Sequence, residues 1–154
     1  MTNNQIFSAY IAFWNSFVDT LGRPALSGAP ARPPNMPIPA FQEGFVQVRV
    51  GNAWQAPPFP YIVYPVANTA FANSNLLAVS IWDRVPNMPG NFSMVNDVVD
   101  QINERIPHSG VVLRLDKGLI MLRRGNPWYI PMGDESDPAI VRGLLNIEVS
   151  NFIV

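Results

Sequence analysis

The sequence predicts an α+β protein. A twisted, mainly antiparallel β-sheet is packed by an N-terminal helix and one central helix, with a proline-rich extended arm between the first helix and the sheet. Three observations predict it. Apolar residues recur at spacings of three and four in two stretches, 3–21 and 93–106. Other stretches alternate apolar and polar residues with period two, and they come in runs rather than between helices, which argues against a βαβ fold. Over residues 23–43 a proline stands every few positions, removing backbone donors and blocking helix.

Each element follows in order. Ile6, Tyr10, Phe13, Trp14, Phe17, Val18 and Leu21 make the stripe of the first helix. Asn3 or Asn4 can cap it, and Gly22 stands where a left-handed stop belongs. The stripe is wide and aromatic, so the expected use is core packing. The arm, RPALSGAPARPPNMPIPAF, runs as polyproline or irregular chain. A disordered linker and an arm laid on a neighbouring subunit both fit it, since pre-extended chain loses less entropy on docking.

From Gly44 the period becomes two. Val46, Val48 and Val50 alternate with Gln47 and Arg49 as a half-buried strand, which GNAWQAPPFP breaks. YIVYPVA (61–67) is a second strand that Pro65 pushes toward an edge. NLLAVSIWDR (75–84) is a longer one. The second helix carries Phe92, Val95, Val98, Val99, Ile102 and Ile106 on its apolar face, with Asn91 or Ser93 as cap and Pro107 as its end. VVLRL and LIMLRR, joined by DKG, read as a hairpin, and GNP as a further turn. IVRGLLNIEVSNFIV closes the sheet, broken or bulged at Gly143. The expected organisation is one domain, 1–154: helix 1–22, arm 23–43, sheet plus helix 44–154.

Composition narrows the function classes. The 154 residues suffice for one domain with a substantial core. Cysteine is absent, so neither a disulfide nor a thiolate metal site is available. The net charge of −1 gives no overall electrostatic footprint for nucleic acid. Charged residues are 14% of the chain, against roughly 25% in ordinary domains. So few charges suit a protein that hides surface in a partner. Nine of the ten basic residues are arginine, the residue favoured at interfaces for its planar fork; a codon bias would give the same excess. The first ten residues lack the positive region of a signal peptide, and no apolar run reaches the roughly 18 residues of a membrane span. A soluble protein, with no membrane partner, is expected.

The chain offers few groups for chemistry. His108, the only histidine, follows a helix-ending proline and reads as an exposed turn residue. No nucleophile elbow, HExxH, P-loop or GxGxxG occurs. The acidic run Asp134, Glu135 and Asp137 could hold a divalent cation, but it lacks the alternating spacing of an EF-hand loop. The simpler reading is a loop in which aspartate caps backbone donors. Arg123 and Arg124 are strand neighbours and point to opposite faces. An ion pair between this strand end and the 134–137 acids is worth roughly 0–1 kcal/mol within one chain; between copies it would set register and specificity. No catalytic residue, cofactor or metal is expected.

The remaining blocks resemble a known family. Pro60-Tyr61-Ile62-Val63-Tyr64, then Ile81-Trp82, Gly118, Arg124-Gly125-Asn126-Pro127-Trp128, Met132-Gly133-Asp134 and Ser136-Asp137 follow the order seen in minor capsid or tail-completion proteins of long-tailed bacteriophages. The resemblance covers residues 58–150, and the proline arm is longer than that pattern. It implies a tail terminator, a structural virion protein and not an enzyme, with a twisted antiparallel sheet and packing helices. Such a protein forms a ring, usually a hexamer, on the head-proximal end of the tail tube. It stops tube polymerisation and offers the head a docking surface. The implied partners are further copies of itself, the tail tube protein and a head-neck connector or stopper protein, with viral DNA passing through the lumen. The implied location is the head–tail junction of the virion, after assembly in the host bacterial cytoplasm. On this reading Arg123, Arg124, Trp128, Tyr129, Asp134, Glu135 and Asp137 lie at a subunit or partner interface. The alternatives are a head-completion stopper or adaptor and, more remotely, a small metal-dependent hydrolase.

Overall fold

The computed structural model describes residues 3–65, 74–116 and 118–153. The chain passes through α1 (Asn3–Trp14), β1 (Val18–Asp19), β2 (Met36–Pro37), β3 (Ala40–Gln42), β4 (Val48–Val50) and β5 (Ala53–Gln55). It continues through β6 (Tyr61–Tyr64), β7 (Ser74–Arg84), α2 (Ser93–Arg105), β8 (Val111–Leu115), β9 (Gly118–Gly133) and β10 (Ile140–Ile153).

Alternation in the closing strand sets the main sheet. Val141, Gly143, Leu145, Ile147 and Val149 are buried, and the residues between them are only partly covered. That is the pattern of a strand with one face on a core. β10 lies between β7 and β9 in a six-stranded sheet of order β3-β6-β7-β10-β9-β8. All neighbours are antiparallel except β3 and β6, which run parallel. The predicted α+β class, with a mainly antiparallel sheet packed by two helices, is the observed one.

The core lies on one face of this sheet. α2 presents Val95, Val98, Val99 and Ile102, all buried at helical spacing, to Val79, Ile81, Val141 and Leu145. The N-cap of α2 is Phe92, without a side-chain cap, so neither Asn91 nor Ser93 takes the capping role expected of them; Asn91 Oδ1 accepts the Ser93 N–H at 3.0 Å in the turn that leads into the helix. Each of these aliphatic side chains contributes about 1.5–3 kcal/mol by leaving water. α1 and the turn after it add Tyr10, Phe13, Trp14 and Phe17, with Phe13 edge-on to both Trp14 and Phe17. Gly143 causes no break in β10. A Cβ there would stand 2.6 Å from Val95 Cγ1, so the glycine is what lets α2 approach the sheet.

Several expectations are corrected. The first helix ends at Trp14, not near residue 21. The Asn15 and Ser16 side chains donate to the carbonyls of Ile11 and Phe13, at 2.9 and 2.5 Å, and draw the chain out of the helix. Leu21, placed on the helical stripe by its spacing, is exposed. Gly22 turns the chain after β1 instead, at φ +62°, where a Cβ would meet Arg32 O at 2.5 Å. The capping side chains of Asn3 and Asn4 lie outside the described residues.

The arm is neither a loose linker nor an extension away from the body. It folds back on its own chain. Arg23 and Arg32 exchange backbone hydrogen bonds at 2.8 Å, as do Leu26 and Ala29 at 2.9–3.0 Å. β2 pairs with β1, Ile38 is buried, and β3 extends the main sheet. The donors come from the residues between the prolines, so a chain poor in N–H groups still anchors. Two ion pairs fix it: Arg32 to Asp19 and Arg23 to Asp83, both at 2.7 Å and both on nearly inaccessible carboxylates. Burial pushes the Asp83 carboxyl above the usual range, and the Arg23 charge opposes that rise.

β6 is accordingly covered by β3 and is not an edge; residues 66–67 of the expected strand lie outside the described residues. The expected half-buried strand at 46–50 is instead half of an exposed hairpin. β4 pairs with β5 across Gly51 and Asn52, and β5, at three residues, is too short to show a period. GNP is not a turn that ends a strand. Leu145 pairs with Tyr129 while Ile147 pairs with Arg124, so residues 125–128 bulge opposite Asn146. The bulge falls there and not at Gly143, with Asn146 Nδ2 donating to Pro127 O at 2.6 Å. Among the described residues, no helix is long and apolar enough to cross a membrane.

Candidate functional site

The seven predicted contact residues lie on β9 and the loop that joins it to β10, and the fold divides them. Arg124, Trp128 and Tyr129 turn onto α2. The Arg124 guanidinium donates to Ile106 O at 2.7 Å and Asn103 O at 2.8 Å. These carbonyls close the helix and have no partner further along it. The same guanidinium lies over the Trp128 ring at 5.5 Å. Trp128 Nε1–H donates to Asn103 Oδ1 at 2.7 Å, and the Tyr129 hydroxyl to Asn96 Oδ1 at 2.8 Å. Burial, and then the Asp100 charge, hold the Tyr129 hydroxyl above the usual phenol range. The bulged part of β9 is thus stapled along α2. His108 is exposed, with its ring 3.4 Å from Arg124 Nη1.

Asp134, Glu135 and Asp137 form the second group. Asp134 Oδ1 accepts the Ser136 N–H at 2.8 Å, the Ser136 hydroxyl at 2.7 Å and the Asp137 N–H at 3.3 Å. These bonds hold its carboxyl below the usual range. Asp137 accepts from Arg84 Nε at 2.8 Å and from the Ala139 N–H at 3.0 Å, and it too is lowered, by Arg84 first. The capping role read from the sequence is the one these aspartates take. Glu135 is exposed.

The two groups do not meet. Arg124 pairs with Ile147 and Gly133 with Val141, so about 20 Å of strand separates them. The ion pair anticipated within one chain is absent among the described residues. Arg123 stands apart from both, exposed and opposite Glu148 in register. No three histidine, aspartate or glutamate side chains converge to hold a metal among the described residues.

The outer face of the sheet carries a feature that sequence reasoning missed. Tyr61 pairs with Trp82, Trp82 with Arg142, and Arg142 with Met132, so four side chains form one row across β6, β7, β10 and β9. Phe59 stacks on Tyr61 at 5.2 Å and Tyr61 on Trp82 at 6.4 Å. The Arg142 guanidinium lies 5.0 Å from the Trp82 ring and donates twice to Ser80 Oγ, at 3.1 and 2.9 Å. At the end of the row is a hollow of about 230 Å³ walled by Trp82, Met132, Ile140 and Arg142, with Asp134 and Glu135 on its lining. Period two places Tyr61 and Trp82 on faces of their strands; only the strand order makes them neighbours.

This arrangement offers apolar and charged contact surface. Comparison with protein-family models, curated proteins and solved structures yields no match.

Proposed function

We propose that the chain is a ring-forming structural subunit that caps the head-proximal end of a phage tail tube, halts its growth and joins tail to head. One observation carries the reading. The blocks that resemble tail-completion proteins, scattered over residues 58–150, fall on strands β6, β7 and β9 of one sheet and on the loop into β10, the strand that lies between β7 and β9. The α+β architecture is also the one the resemblance implies.

The mechanism asks for no catalytic group. One surface matches the growing end of the tube, and the other withholds the site that the next tube subunit would use. Weak contacts repeated around a ring, of six copies on this reading, give tight capping by avidity. The partners are the tube protein, a connector or stopper on the head side, and DNA passing through the lumen at the head–tail junction of the virion. Of the predicted contact residues, Arg123 and Glu135 face outward. Arg124, Trp128 and Tyr129 support the surface from beneath by fixing β9 to α2.

Electron microscopy of lysates from a phage lacking this chain tests the reading. Overlong, unattached tubes beside full heads are expected. Normal-length tails beside heads that have lost their DNA would instead assign a head stopper. A melting temperature that rises with Mg²⁺ or Mn²⁺, and no longer does so in Asp134→Ala, would turn the reading toward a metal-dependent hydrolase.

A further inference from the structure

The β4–β5 hairpin and the turn before it carry three of the four most exposed large apolar side chains among the described residues. Phe45 is 70% exposed, Trp54 63% and Val50 57%. Clustered exposure of this kind marks a contact surface. Arg49 stands opposite Trp54 in register, with its guanidinium 5.9 Å from the ring centroid. One face of the hairpin therefore presents an indole beside a cation. Across the sheet, the hollow at the end of the aromatic row presents the complement: an apolar wall of Trp82, Met132 and Ile140, with Asp134 and Glu135 beside it. At about 230 Å³ it has room for one large aromatic side chain.

We propose that the β4–β5 hairpin of one copy docks in this hollow of the next copy, with Trp54 against Trp82 and Met132 and with Arg49 facing Asp134 and Glu135. The occupant is a second copy of this chain for two reasons. The first is charge: Arg49 is the only basic residue between Gly44 and Pro60, and the hollow carries two acids. The second is placement. The hairpin leaves the sheet from β3, an outermost strand, whereas the hollow lies at β7, β10 and β9 on the far side of β6. Knob and hollow are different patches of one molecule, so each contact leaves one of each unfilled. Such heterologous contacts propagate from copy to copy and close into a ring when the rotation allows. The inference rests on the self-assembly part of the proposed function and names its interface.

The absence of cysteine makes the test clean. Asn52→Cys places a thiol at the hairpin turn and Glu135→Cys places one beside the hollow, with Asp134 kept. On oxidation of the two full-length variants mixed together, a disulfide joining one of each is expected, and Trp54→Ala added to the hairpin variant should reduce its yield at least tenfold. In sedimentation of the otherwise unchanged protein, Arg49→Glu should weaken self-association, and Glu135→Arg should recover part of the loss. Self-association without the mixed disulfide, and unaffected by Trp54→Ala, would move the interface elsewhere and overturn the inference while leaving a ring intact. A chain that stays monomeric at every concentration and forms no mixed disulfide would also overturn it, while the terminator reading, in which the tube end can template the ring, would still be decided by the tails of phage lacking the chain. Mixed disulfides together with normal tails would sustain the inference and remove the terminator role.

Discussion

Replacing Arg23 by methionine isolates the ion pair that ties the proline-rich arm to the sheet. Arg23 Nη2 lies 2.7 Å from Asp83 Oδ2, and the two side chains are 15% and 1% exposed. The substitution keeps an apolar stem of similar length and leaves the carboxylate buried without its cation. Stranding one partner of a buried pair costs 3–5 kcal/mol. Arg23 retains some access to water, so the lower end applies, about 3 kcal/mol. For a chain of this size that lowers Tm by roughly 6–12 °C.

The pH dependence gives the argument its sign. Burial raises the Asp83 carboxyl in the folded state, and the Arg23 charge restrains the rise. A raised carboxyl contributes stability below its unfolded value and loses that contribution as pH rises through the folded value. Removing Arg23 removes the restraint, so the folded value climbs further and the loss extends to higher pH. Arg23→Met should therefore cost most at neutral pH and progressively less as Asp83 takes up its proton. Urea unfolding at several pH values from 7 down to 4.5 measures this, with Arg23→Met/Asp83→Leu as the companion. The double change should recover most of the loss at pH 7, because no charge then remains buried. An equal cost at every pH, with no recovery in the double variant, would show that Arg23 acts through packing or its backbone bridge and not through Asp83.

Three further substitutions probe the frame around the candidate surface. Arg124→Gln should cost about 1–2 kcal/mol and speed amide exchange in the last turn of α2, and Arg124→Lys should restore less than half, because an ammonium lacks the fork that spans two carbonyls. Gly143→Ala should cost about 1–3 kcal/mol by denaturant unfolding, since the new methyl meets Val95 Cγ1, and a second change, Val95→Ala, should add less than it costs alone. Tyr10→Phe should be neutral or stabilise by up to about 1 kcal/mol in the same assay, because the buried hydroxyl finds no hydrogen-bond partner among the described residues.

Where a signal was local, the sequence carried it. α2 showed its four buried valines and isoleucines at helical spacing, β7 and β10 showed their alternation, and β8 and β9 flanked a turn of Asp and Gly. The aspartates of residues 134–137 were legible as caps because the backbone donors they cap lie within three residues, whereas the Arg84 partner of Asp137, 53 residues away, was not. The arm was not legible, because what holds it comes from elsewhere in the chain: Asp83 is 60 residues from Arg23, and Ala40 pairs with Ile62 only after the arm has returned. Arg124 failed for the same reason. Its role depends on β9 passing the end of α2, and spacing alone left it as a second surface arginine. β5, three residues long, was too short to show a period, so β4 read as a strand on the body and not as half of a projecting hairpin.

The arginine excess suggested interfaces, but most of these side chains are used within the chain. Arg23, Arg32 and Arg84 pair with aspartates. Arg105 donates to Ser16 Oγ at 2.9 Å and lies 5.1 Å from the Phe13 ring and 5.3 Å from that of Phe17. Arg124 closes α2 over Trp128, and Arg142 lies on Trp82. A lysine cannot bond two acceptors in a plane while laying a flat face on a ring, so the preference follows from these tasks. Arg49, Arg114 and Arg123 remain, all three exposed. Of these, Arg49 is the one set beside an exposed indole on a hairpin that the body does not cover. If that hairpin had no partner, its aromatic residues would be a standing route to nonspecific association. A partner site with an acidic rim turns the same surface into a specific contact, because the charge then favours one docking register over the others.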